Sequence, residues 1–366
     1  MEDIRIGIIG VGQIGKLHLA AYEKIPAARI VALADIDAAE GKRVSERFNI
    51  PNVYTDFRKL LERDDLDAVD VALHNNLHAP VTVLALRAGK HVYCEKPMAG
   101  SYADAKAMMD EAAACGRKLS IQLFSLFTKQ AKVARRLIDA GKLGRIFHAR
   151  STGFRRRGRP FVDGYGTAMF VKKAVAAGGA LYDMGVYHIS QIVYLLGLPA
   201  VERITGKVYQ ETDIDPARRA ASGYDVEELG TGFVRFADGV TLDVIESWAI
   251  HLNKFEGSCI VGSHGGIRMD PFSFHCTEQD MDMDATFNID AADWRWHRFD
   301  ENESAYDSSQ HHWVAALQGK VELMPTAEAA LETMLISEGI YLSDRLGREV
   351  TAEEVVAGSQ STAGAV

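Results

Sequence analysis

A glycine-rich turn between a buried strand and a helix constrains the fold of this chain more than any other feature. The apolar run Ile4–Ile9 has the continuous pattern of a parallel strand buried on both faces. A helical stretch covers residues 16–24, and the turn before it reads Gly10-Val11-Gly12-Gln13-Ile14-Gly15. In such a turn the first glycine permits the tight bend, the second lets the backbone approach a pyrophosphate, and the third lets the helix pack on the strand. Because the helix N-terminus also offers free N–H groups and a positive dipole end to phosphates, the turn predicts a dinucleotide-binding site.

The residues after the second predicted strand indicate which dinucleotide binds. The apolar segment 30–34 is followed by Asp35, about 20 residues beyond the last glycine of the turn, where a carboxylate accepts hydrogen bonds from an adenosine ribose. Ile36 and Asp37 come next, so this position has no arginine for a 2′-phosphate and two carboxylates that repel one. The pattern therefore favours NAD over NADP.

Strands and helices continue to alternate over the first third of the chain. We predict strands at 68–73, 91–94 and 119–123 and helices at 79–88 and 102–114. This alternation is typical of right-handed crossovers in a doubly wound parallel sheet, on which ligands bind beyond the carboxyl ends of the strands. Two polar segments fall at those ends, Leu73-His74-Asn75-Asn76 and Glu95-Lys96-Pro97, and we expect a nicotinamide and its substrate beside them.

Length and charge narrow the class of protein. At about 100–200 residues per domain, 366 residues predict two domains. Asp and Glu outnumber Lys and Arg by 50 to 41, and the formal net charge of −9 argues against a general binder of nucleic acid or membrane surfaces, because phosphates are repelled. The acidic N-terminus and the lack of an apolar run of about 20 residues favour a cytoplasmic location. The four scattered cysteines form no CxxC pair and are expected to be reduced thiols.

The tripeptide Glu95-Lys96-Pro97 is the most distinctive motif of the chain. Together with the glycine turn and the later segment Gly178-Gly179-Ala180-Leu181-Tyr182-Asp183-Met184-Gly185, it resembles the Gfo/Idh/MocA family of NAD(P)-dependent oxidoreductases, which act mostly on sugars, inositols and related polyols. The resemblance implies an α/β protein in which a Rossmann domain with a doubly wound parallel sheet, residues 1–124, precedes an α/β domain with a large, mostly antiparallel sheet, residues 125–366. That sheet often makes dimer or tetramer contacts in the family, so a homodimer or homotetramer is expected.

The second half of the chain is compatible with such a sheet. Short strands are predicted at 145–152, 201–210, 232–236, 241–248 and 258–261. Asp238-Gly239 is typical of a hairpin turn between two of them. A last helix is predicted over Thr326–Leu346, where leucines near one face indicate core packing.

The resemblance also assigns residues of the first domain to cofactor and substrate. Besides the glycine turn and Asp35, it implies cofactor contacts by Leu73, His74, Asn75, His78, Glu95 and Lys96. Lys96 takes the family role of polarising the reacting oxygen, or relaying its proton, while hydride moves to the nicotinamide. A cation desolvated in a cleft has a lowered pKa, which suits an acid or base near neutrality. The alternative is a surface lysine that pairs with Glu95.

Asp183 introduces the second catalytic element. Most family members carry His four residues after this Asp, whereas here Tyr187 stands at that position and His188 follows it. On a strict helix Tyr187 lies about 40° from Asp183 and His188 about 140° away, so we expect Tyr187 to transfer the proton and Asp183 to orient the substrate. The phenol has an ordinary pKa of about 10 and needs a neighbouring cation such as Lys96, and relatives similar to glucose–fructose oxidoreductase and dihydrodiol dehydrogenase also carry Tyr there. Two alternatives stay open for His188: a local distortion that restores it to the catalytic face, or a histidine that only packs the helix.

A basic loop bears on the substrate. The residues concerned are Arg155, Arg156, Arg157, Arg159, Lys172 and Lys173, and the arginines lie in the loop that borders the substrate pocket in the family. Arginine matches carboxylate, phosphate and sulfonate oxygens in a bidentate manner, so an anionic sugar such as a sugar acid or a sulfonated sugar is expected. A solvated or subunit-contacting loop is the alternative.

Further departures from the family pattern surround the expected pocket. Leu126-Phe127 replaces the usual Arg-Phe element, and the segment 166–173 replaces a tryptophan–arginine segment, so the pocket is not expected to be that of a common inositol dehydrogenase. His74 and His78, four residues apart, occupy a turn and a helix start of the family pattern, and the adjacent pair His311-His312 has no carboxylate or thiol at a metal-ligand spacing, so no metal is expected.

The leading hypothesis is an NAD-dependent dehydrogenase or reductase of a secondary hydroxyl or ketone in a sugar. The alternative is an NAD-dependent redox glycosidase, which oxidises a ring hydroxyl, eliminates the aglycone, adds water and reduces the ketone again, with no net redox change. A third possibility is a cofactor sensor without enzymatic activity on the same scaffold, against which Lys96, Asp183 and Tyr187 weigh.

Overall fold

The computed structural model describes residues 3–253 and 255–366. The strands of its first sheet are β1 (Ile4–Ile9), β2 (Ala28–Ala34), β3 (Asn52–Tyr54), β4 (Ala68–Val71), β5 (His91–Cys94) and β6 (Leu119–Ile121). They are all parallel and lie in the order β3-β2-β1-β4-β5-β6. The order reverses between β1 and β4, which creates the crevice where doubly wound sheets bind their ligands.

Helices join these strands. They are α1 (Gln13–Tyr22), α2 (Ala38–Phe48), α3 (Phe57–Leu61), α4 (Asn75–Arg87) and α5 (Tyr102–Cys115). The predicted alternation is confirmed, with element ends displaced by a few residues; α4 begins at Asn75 rather than at 79. The strand β3 was not predicted, because its three residues are too few to show a periodicity.

The second sheet has nine strands and is mostly antiparallel. Its strands are β7 (Ile146–Phe154), β8 (Val201–Tyr209), β9 (Leu229–Phe236), β10 (Thr241–Ser247), β11 (Cys259–Gly262), β12 (Gly266–Met269), β13 (Phe272–Glu278), β14 (Met281–Ala285) and β15 (Val350–Thr351). They lie in the order β14-β13-β12-β11-β7-β10-β9-β8-β15, in which β7 and β10 are parallel. The predicted hairpin at Asp238-Gly239 joins β9 to β10, and Gly239 has the positive φ of 85° that such a turn requires.

The remaining helices are α6 (Lys129–Asp139), α7 (Lys173–Ala176), α8 (Val186–Leu195), α9 (Pro216–Ser222), α10 (Ile289–Phe299), α11 (Ser309–Leu317), α12 (Thr326–Leu346) and α13 (Ala352–Gly358). Short 3-10 helices cover Phe124–Phe127, Ala168–Val171 and Glu303–Tyr306, and a π-helix covers Leu181–Gly185. α12 has the predicted bounds and packs against both β8 and α5, so one helix belongs to the cores of both halves. Within the described parts of the chain, no helix is both long and apolar enough to cross a membrane.

The first sheet is completed by a helix from the far end of the sequence. Trp313 of α11 is fully buried in a cluster with Ile6, Tyr22 and Tyr93. A parallel sheet needs cover on both faces, and here part of that cover comes from α11.

Candidate active site

The glycine turn has the geometry that its sequence predicts. Gly10 has a φ of +90°, and a Cβ on it would overlap the carbonyl oxygen of Ala72. A Cβ on Gly15 would overlap the carbonyl oxygen of Gly10, so the helix can approach the turn only without a side chain there. Gly12 differs, because no atom of a described residue other than Gly12 and its two neighbours in the chain lies within 4 Å of the position of its Cβ. The turn therefore leaves open space at Gly12, where a pyrophosphate would approach.

The N-terminus of α1 and the end of β2 complete this cradle. No described side chain caps α1 at its N-terminus, so the first-turn N–H groups of Gln13 and Ile14 are without a side-chain cap and suit an anion. Asp35 accepts hydrogen bonds from Val11 N at 2.8 Å and from Asp37 N at 2.9 Å, which orients its carboxylate at the rim. Ile36, the next residue, is 94% exposed. These groups fit the phosphates and the adenosine ribose of NAD.

The variant Gly12→Ala should weaken cofactor binding without changing the stability of the fold. Because Gly12 has a negative φ of −63° and open space around it, we expect the variant to keep its free energy of unfolding within about 0.5 kcal/mol. The added methyl group occupies the path of the pyrophosphate, so the Kd for NADH, measured by fluorescence, should rise about tenfold or more. Gly358→Ala, also in open space, is the control and should leave both values unchanged. An unaltered Kd in Gly12→Ala would refute this assignment of the turn.

The turn after β4 borders the cradle. The side chain of Leu73 packs beside Gly10, and the exposed His74 lies 6.2 Å from the ring of Phe170. Asn75 donates a hydrogen bond from its side-chain amide to the carbonyl oxygen of Ala176 at 2.9 Å. The turn therefore contacts the segment between β7 and α8, at the 3-10 helix Ala168–Val171 and at the end of α7.

His78 does not face the cradle, which corrects its assignment to cofactor binding. It is fully buried, with Nδ1 2.7 Å from the carbonyl oxygen of Pro97 and Nε2 3.1 Å from that of Leu73. Burial lowers its pKa. His78 therefore joins the two turns that flank the cleft and acts on the cofactor site only through them.

Lys96, directly after β5, reaches across to Asp183. Its ammonium donates hydrogen bonds to Asp183 Oδ1 at 2.9 Å and to the Asp183 carbonyl oxygen at 3.0 Å. Burial by itself would lower the pKa of Lys96, but the negative charge of Asp183, with contributions from Tyr187 and Glu95, raises it above the ordinary value. The expectation of a lowered pKa was wrong, because the sequence did not reveal that a carboxylate contacts the ammonium. Lys96 is therefore a fixed cation at neutral pH.

Glu95 points away from Lys96 into a buried network that sequence reasoning missed. His18 of α1 lies between two carboxylates, with Nδ1 2.9 Å from Asp70 and Nε2 3.2 Å from Glu95. Tyr22 donates a second hydrogen bond to Asp70 at 2.9 Å. Burial lowers the pKa of His18, but the two carboxylates outweigh it and raise the pKa to about 10. The one available signal was Asp70, a charged residue within an otherwise apolar strand.

Asp183 lies within the π-helix, whose start is held by a buried carboxylate. Glu227 accepts hydrogen bonds from the backbone N–H of Gly179 at 2.8 Å and of Leu181 at 3.0 Å. A Cβ on Gly179 would overlap the carbonyl oxygen of Glu227, which explains the glycine at this position of the motif. Trp248, at the end of β10, donates from Nε1 to Asp183 Oδ2 at 2.9 Å. Burial raises the pKa of Asp183, but Lys96 and Arg155 outweigh it and keep the residue a carboxylate.

Tyr187 supports Lys96 through its ring. The ammonium of Lys96 lies 4.5 Å from the centroid of the Tyr187 ring, and Phe124 packs on the same ring at 4.5 Å. Burial raises the pKa of Tyr187 to about 12 although Lys96 lowers it. The expected activation of this phenol by Lys96 is therefore outweighed by desolvation. The exposed Phe124 is a cleft residue that the sequence analysis did not identify.

His188 lies beside a different carboxylate. Its Nδ1 is 2.9 Å from Glu246 Oε2, and its side chain is 33% exposed whereas that of Glu246 is fully buried. Burial lowers the pKa of His188, but Glu246 outweighs burial and raises it. His188 thus contacts a buried carboxylate of β10 in addition to its place on α8.

The structure places the six basic candidates for substrate binding in different environments. Arg155 lies 3.7 Å from Asp183 Oδ2 and donates a hydrogen bond to the hydroxyl group of Tyr165, another cleft residue that was not predicted. Arg159 is 1% exposed and is bound to Asp163 at 2.9 Å and Glu228 at 3.0 Å. Its guanidinium is committed inside the protein, so Arg159 is removed from the substrate-binding candidates.

The other four basic residues are exposed or half-buried and have other neighbours than Asp183. Arg157 is 69% exposed and lies 3.6 Å from Asp163, and Arg156 is exposed. Lys172 is half-buried against Gly223, and Lys173 is exposed. Arg155 is thus the member of the set that the structure brings to Asp183.

Asp293, His297 and Asp307 form a separate polar cluster, with potential ligand atoms within 4.8 Å of one another. The ammonium of Lys132 lies 3.3 Å from Asp293 and 3.1 Å from Asp307. A protein cation therefore already neutralises these carboxylates.

Two protein-family models match the chain. One, described as an oxidoreductase family with an NAD-binding Rossmann fold, matches residues 4–123, and the other, described as a GFO/IDH/MocA C-terminal domain, matches residues 131–268. The chain is 26% identical to D-glucoside 3-dehydrogenase of Escherichia coli over 362 residues, which cover 95% of this chain and 97% of that protein. It is 28% identical to levoglucosan dehydrogenase of Pseudarthrobacter phenanthrenivorans over 322 residues, 81% of this chain and 80% of that protein. A solved structure of levoglucosan dehydrogenase with NADH and levoglucosan has the same fold, with a TM-score of 0.79 at 22% identity over 96% of this chain and 100% of that chain.

Proposed function

Because this chain belongs to the GFO/IDH/MocA family of NAD-binding oxidoreductases, we propose that it transfers hydride between NAD and a secondary hydroxyl or ketone of a sugar or sugar derivative. The observation that carries the proposal is the ion pair of Lys96 and Asp183 at the carboxyl edge of the parallel sheet, the edge at which the glycine turn also lies. The glucoside and levoglucosan dehydrogenases among its relatives support a sugar as substrate. By the same family resemblance, we propose a homodimer or homotetramer that forms through the nine-stranded sheet.

The residues of the cradle hold the cofactor in this proposal. Gly10, Gly12 and Gly15 shape the turn for the pyrophosphate, and Asp35 accepts hydrogen bonds from the adenosine ribose. Leu73, His74, Asn75 and Glu95 border the nicotinamide half. When bound, NAD supplies the acceptor for the hydride.

Lys96 and Asp183 act on the substrate. Since Lys96 stays protonated, it donates a hydrogen bond to the reacting oxygen and stabilises the negative charge that grows there when the hydroxyl group loses its proton. Asp183 stays a carboxylate and accepts hydrogen bonds from neighbouring sugar hydroxyl groups, which orients the ring. Tyr187 and His188 are the two candidates for the hydroxyl proton.

The experiment that tests this function is a substrate panel. Purified protein and NAD are mixed with neutral sugars, sugar acids, and methyl and aryl glycosides, while absorbance at about 340 nm reports NADH and a second channel reports free aglycone. Accumulation of NADH supports the dehydrogenase. If no member yields NADH or loses an aglycone, the proposal fails.

An NAD-dependent redox glycosidase is the second candidate function. The observation that favours it is a second titratable group in addition to Tyr187, whose ring contacts Lys96. This group is His188, on which the charge of Arg155 acts, and Arg155 itself lies 3.7 Å from Asp183. Dehydrogenation needs one proton acceptor, whereas elimination of an aglycone needs a further acid–base group. Release of aglycone without net NADH, by protein that retains NAD through gel filtration, would identify this function in the same panel.

We propose further that the substrate is anionic and that Arg155 recognises it. Arg155→Met should lower kcat/KM for sugar acids about 10- to 100-fold relative to neutral sugars, because a hydrogen-bonded charge is lost. Arg157→Met is the matched control, since Arg157 is 69% exposed and lies nearest to Asp163, and it should leave the ratio unchanged. If Arg155→Met changes this ratio of kcat/KM values no more than Arg157→Met does, the arginines face solvent rather than substrate.

A further inference from the structure

Asp183 and His188 lie on either side of a change in helix type. Asp183 belongs to the π-helix Leu181–Gly185, in which hydrogen bonds join residues five apart, and His188 belongs to α8, which begins at Val186. Arg155 interacts with both residues: it lies 3.7 Å from Asp183, and its positive charge acts on His188.

His188 occupies a site that three elements build around it. Glu246 of β10 accepts from His188 Nδ1 at 2.9 Å, and Ser151 of β7 donates to the other oxygen of Glu246 at 3.0 Å. Gly153 leaves the space for this pair, because a Cβ there would overlap both the imidazole of His188 and the carboxylate of Glu246. Gly185 is also close, with its Cβ position 3.2 Å from Glu246 Cγ.

We propose that Glu246 is a positioning residue that holds His188 as the acid–base residue of this cleft. A carboxylate at Nδ1 fixes the proton on that nitrogen, so Nε2 is left as the acceptor. Nε2 has no hydrogen-bond partner among the described residues, and the side chain is 33% exposed. This inference rests on the proposed function and deepens it by naming the group that moves the proton.

The step balances without a further reactant. During oxidation the substrate C–H bond breaks, and its hydrogen leaves with the electron pair as hydride to NAD. The O–H bond breaks as well, and its proton passes to Nε2 of neutral His188 and then to solvent. Reduction runs the same transfers backwards, with the imidazolium donating its proton.

Tyr187 has a different role in this arrangement. Its ring lies against the ammonium of Lys96 and against Phe124, and burial keeps the phenol protonated with a pKa of about 12. Tyr187 therefore acts as a platform that steadies Lys96 and can donate a hydrogen bond.

The first test needs no substrate. Protein with labelled histidine is titrated with pH and followed by NMR, and the signal of His188 is the one that disappears in His188→Gln. The charged groups that act on His188 are Glu246 and Arg155, and Glu246 outweighs burial, so the midpoint should lie above 6.5. Glu246→Gln should lower the midpoint by about one pH unit or more, because burial and Arg155 then act unopposed. Ser151→Ala keeps the carboxylate and is the control. An unchanged midpoint in Glu246→Gln would overturn the positioning role.

Turnover provides the second test, on the panel sugar that yields NADH fastest. His188→Gln should lower kcat about 100-fold or more, and Gly153→Ala should lower it as well by displacing the imidazole. Oxidation needs neutral His188, so the acid limb of the kcat/KM profile should move to lower pH in Glu246→Gln. Tyr187→Phe should reduce kcat less than His188→Gln, and the opposite order would overturn the proposal. If no sugar yields NADH, the proposed function fails while the titration still decides the role of Glu246.

Discussion

Replacing Lys96 by methionine is expected to lower kcat for NADH formation about 1000-fold. The ammonium is 12% exposed, paired with Asp183 and held against the ring of Tyr187, so its charge acts in a poorly solvated cleft. Fixed charges aimed at a developing oxyanion contribute about 100- to 1000-fold in kcat, and proton transfer through an aligned site adds to this. The measurement is the initial rate at saturating NAD and sugar.

Two further measurements show whether the loss of kcat in Lys96→Met comes from the chemical step rather than from cofactor binding. The Kd of Lys96→Met for NADH should stay within about threefold of the wild-type value, since the glycine turn is untouched. Lys207→Met serves as the control, because Lys207 is 58% exposed and pairs with Asp344. A Lys96→Met protein that retains a tenth or more of the wild-type kcat would remove Lys96 from the reaction.

Replacing His18 by glutamine is expected to cost about 3–5 kcal/mol in the free energy of unfolding. His18 is 3% exposed between Asp70, which is fully buried, and Glu95, which is 7% exposed. Without the imidazolium, two buried carboxylates face each other with no cation between them. Urea unfolding measures the loss, and His148→Gln, a partly exposed histidine paired with Asp243, should cost less than about 1 kcal/mol. A His18→Gln protein as stable as His148→Gln would contradict the charged network.

The stability difference between wild type and His18→Gln should also depend on pH. The folded state raises the pKa of His18 from 6.5 to about 10. A raised pKa stabilises the protonated folded protein, so the contribution is complete below pH 6.5 and declines as the pH rises toward 10. The difference in unfolding free energy should therefore shrink steadily over that interval. A constant difference would mean that His18 is neutral in the folded protein.

Local patterns accounted for the parts of the fold and site that depend on neighbours in sequence. The strand–glycine turn–helix unit, the position of Asp35, and Lys96 at a strand end all follow from periods and spacings of a few residues. The same local reasoning misjudged the pKa of Lys96 and the locations of His78 and Arg159. Two of these errors concern a partner that lies far away in the chain: Asp183 is 87 residues from Lys96, and Glu228 is 69 residues from Arg159.

Sequence by itself determined the doubly wound sheet and the glycine turn of its NAD-binding Rossmann domain, because steric rules and hydrophobic period act over short stretches of chain. Only the tertiary structure decided which titratable groups are charged and which face the cleft. The physical reason is that a charge in a desolvated site takes its pKa from whichever groups packing brings within a few ångströms. For His188 that group is Glu246, 58 residues away, and for Lys96 it is Asp183, 87 residues away.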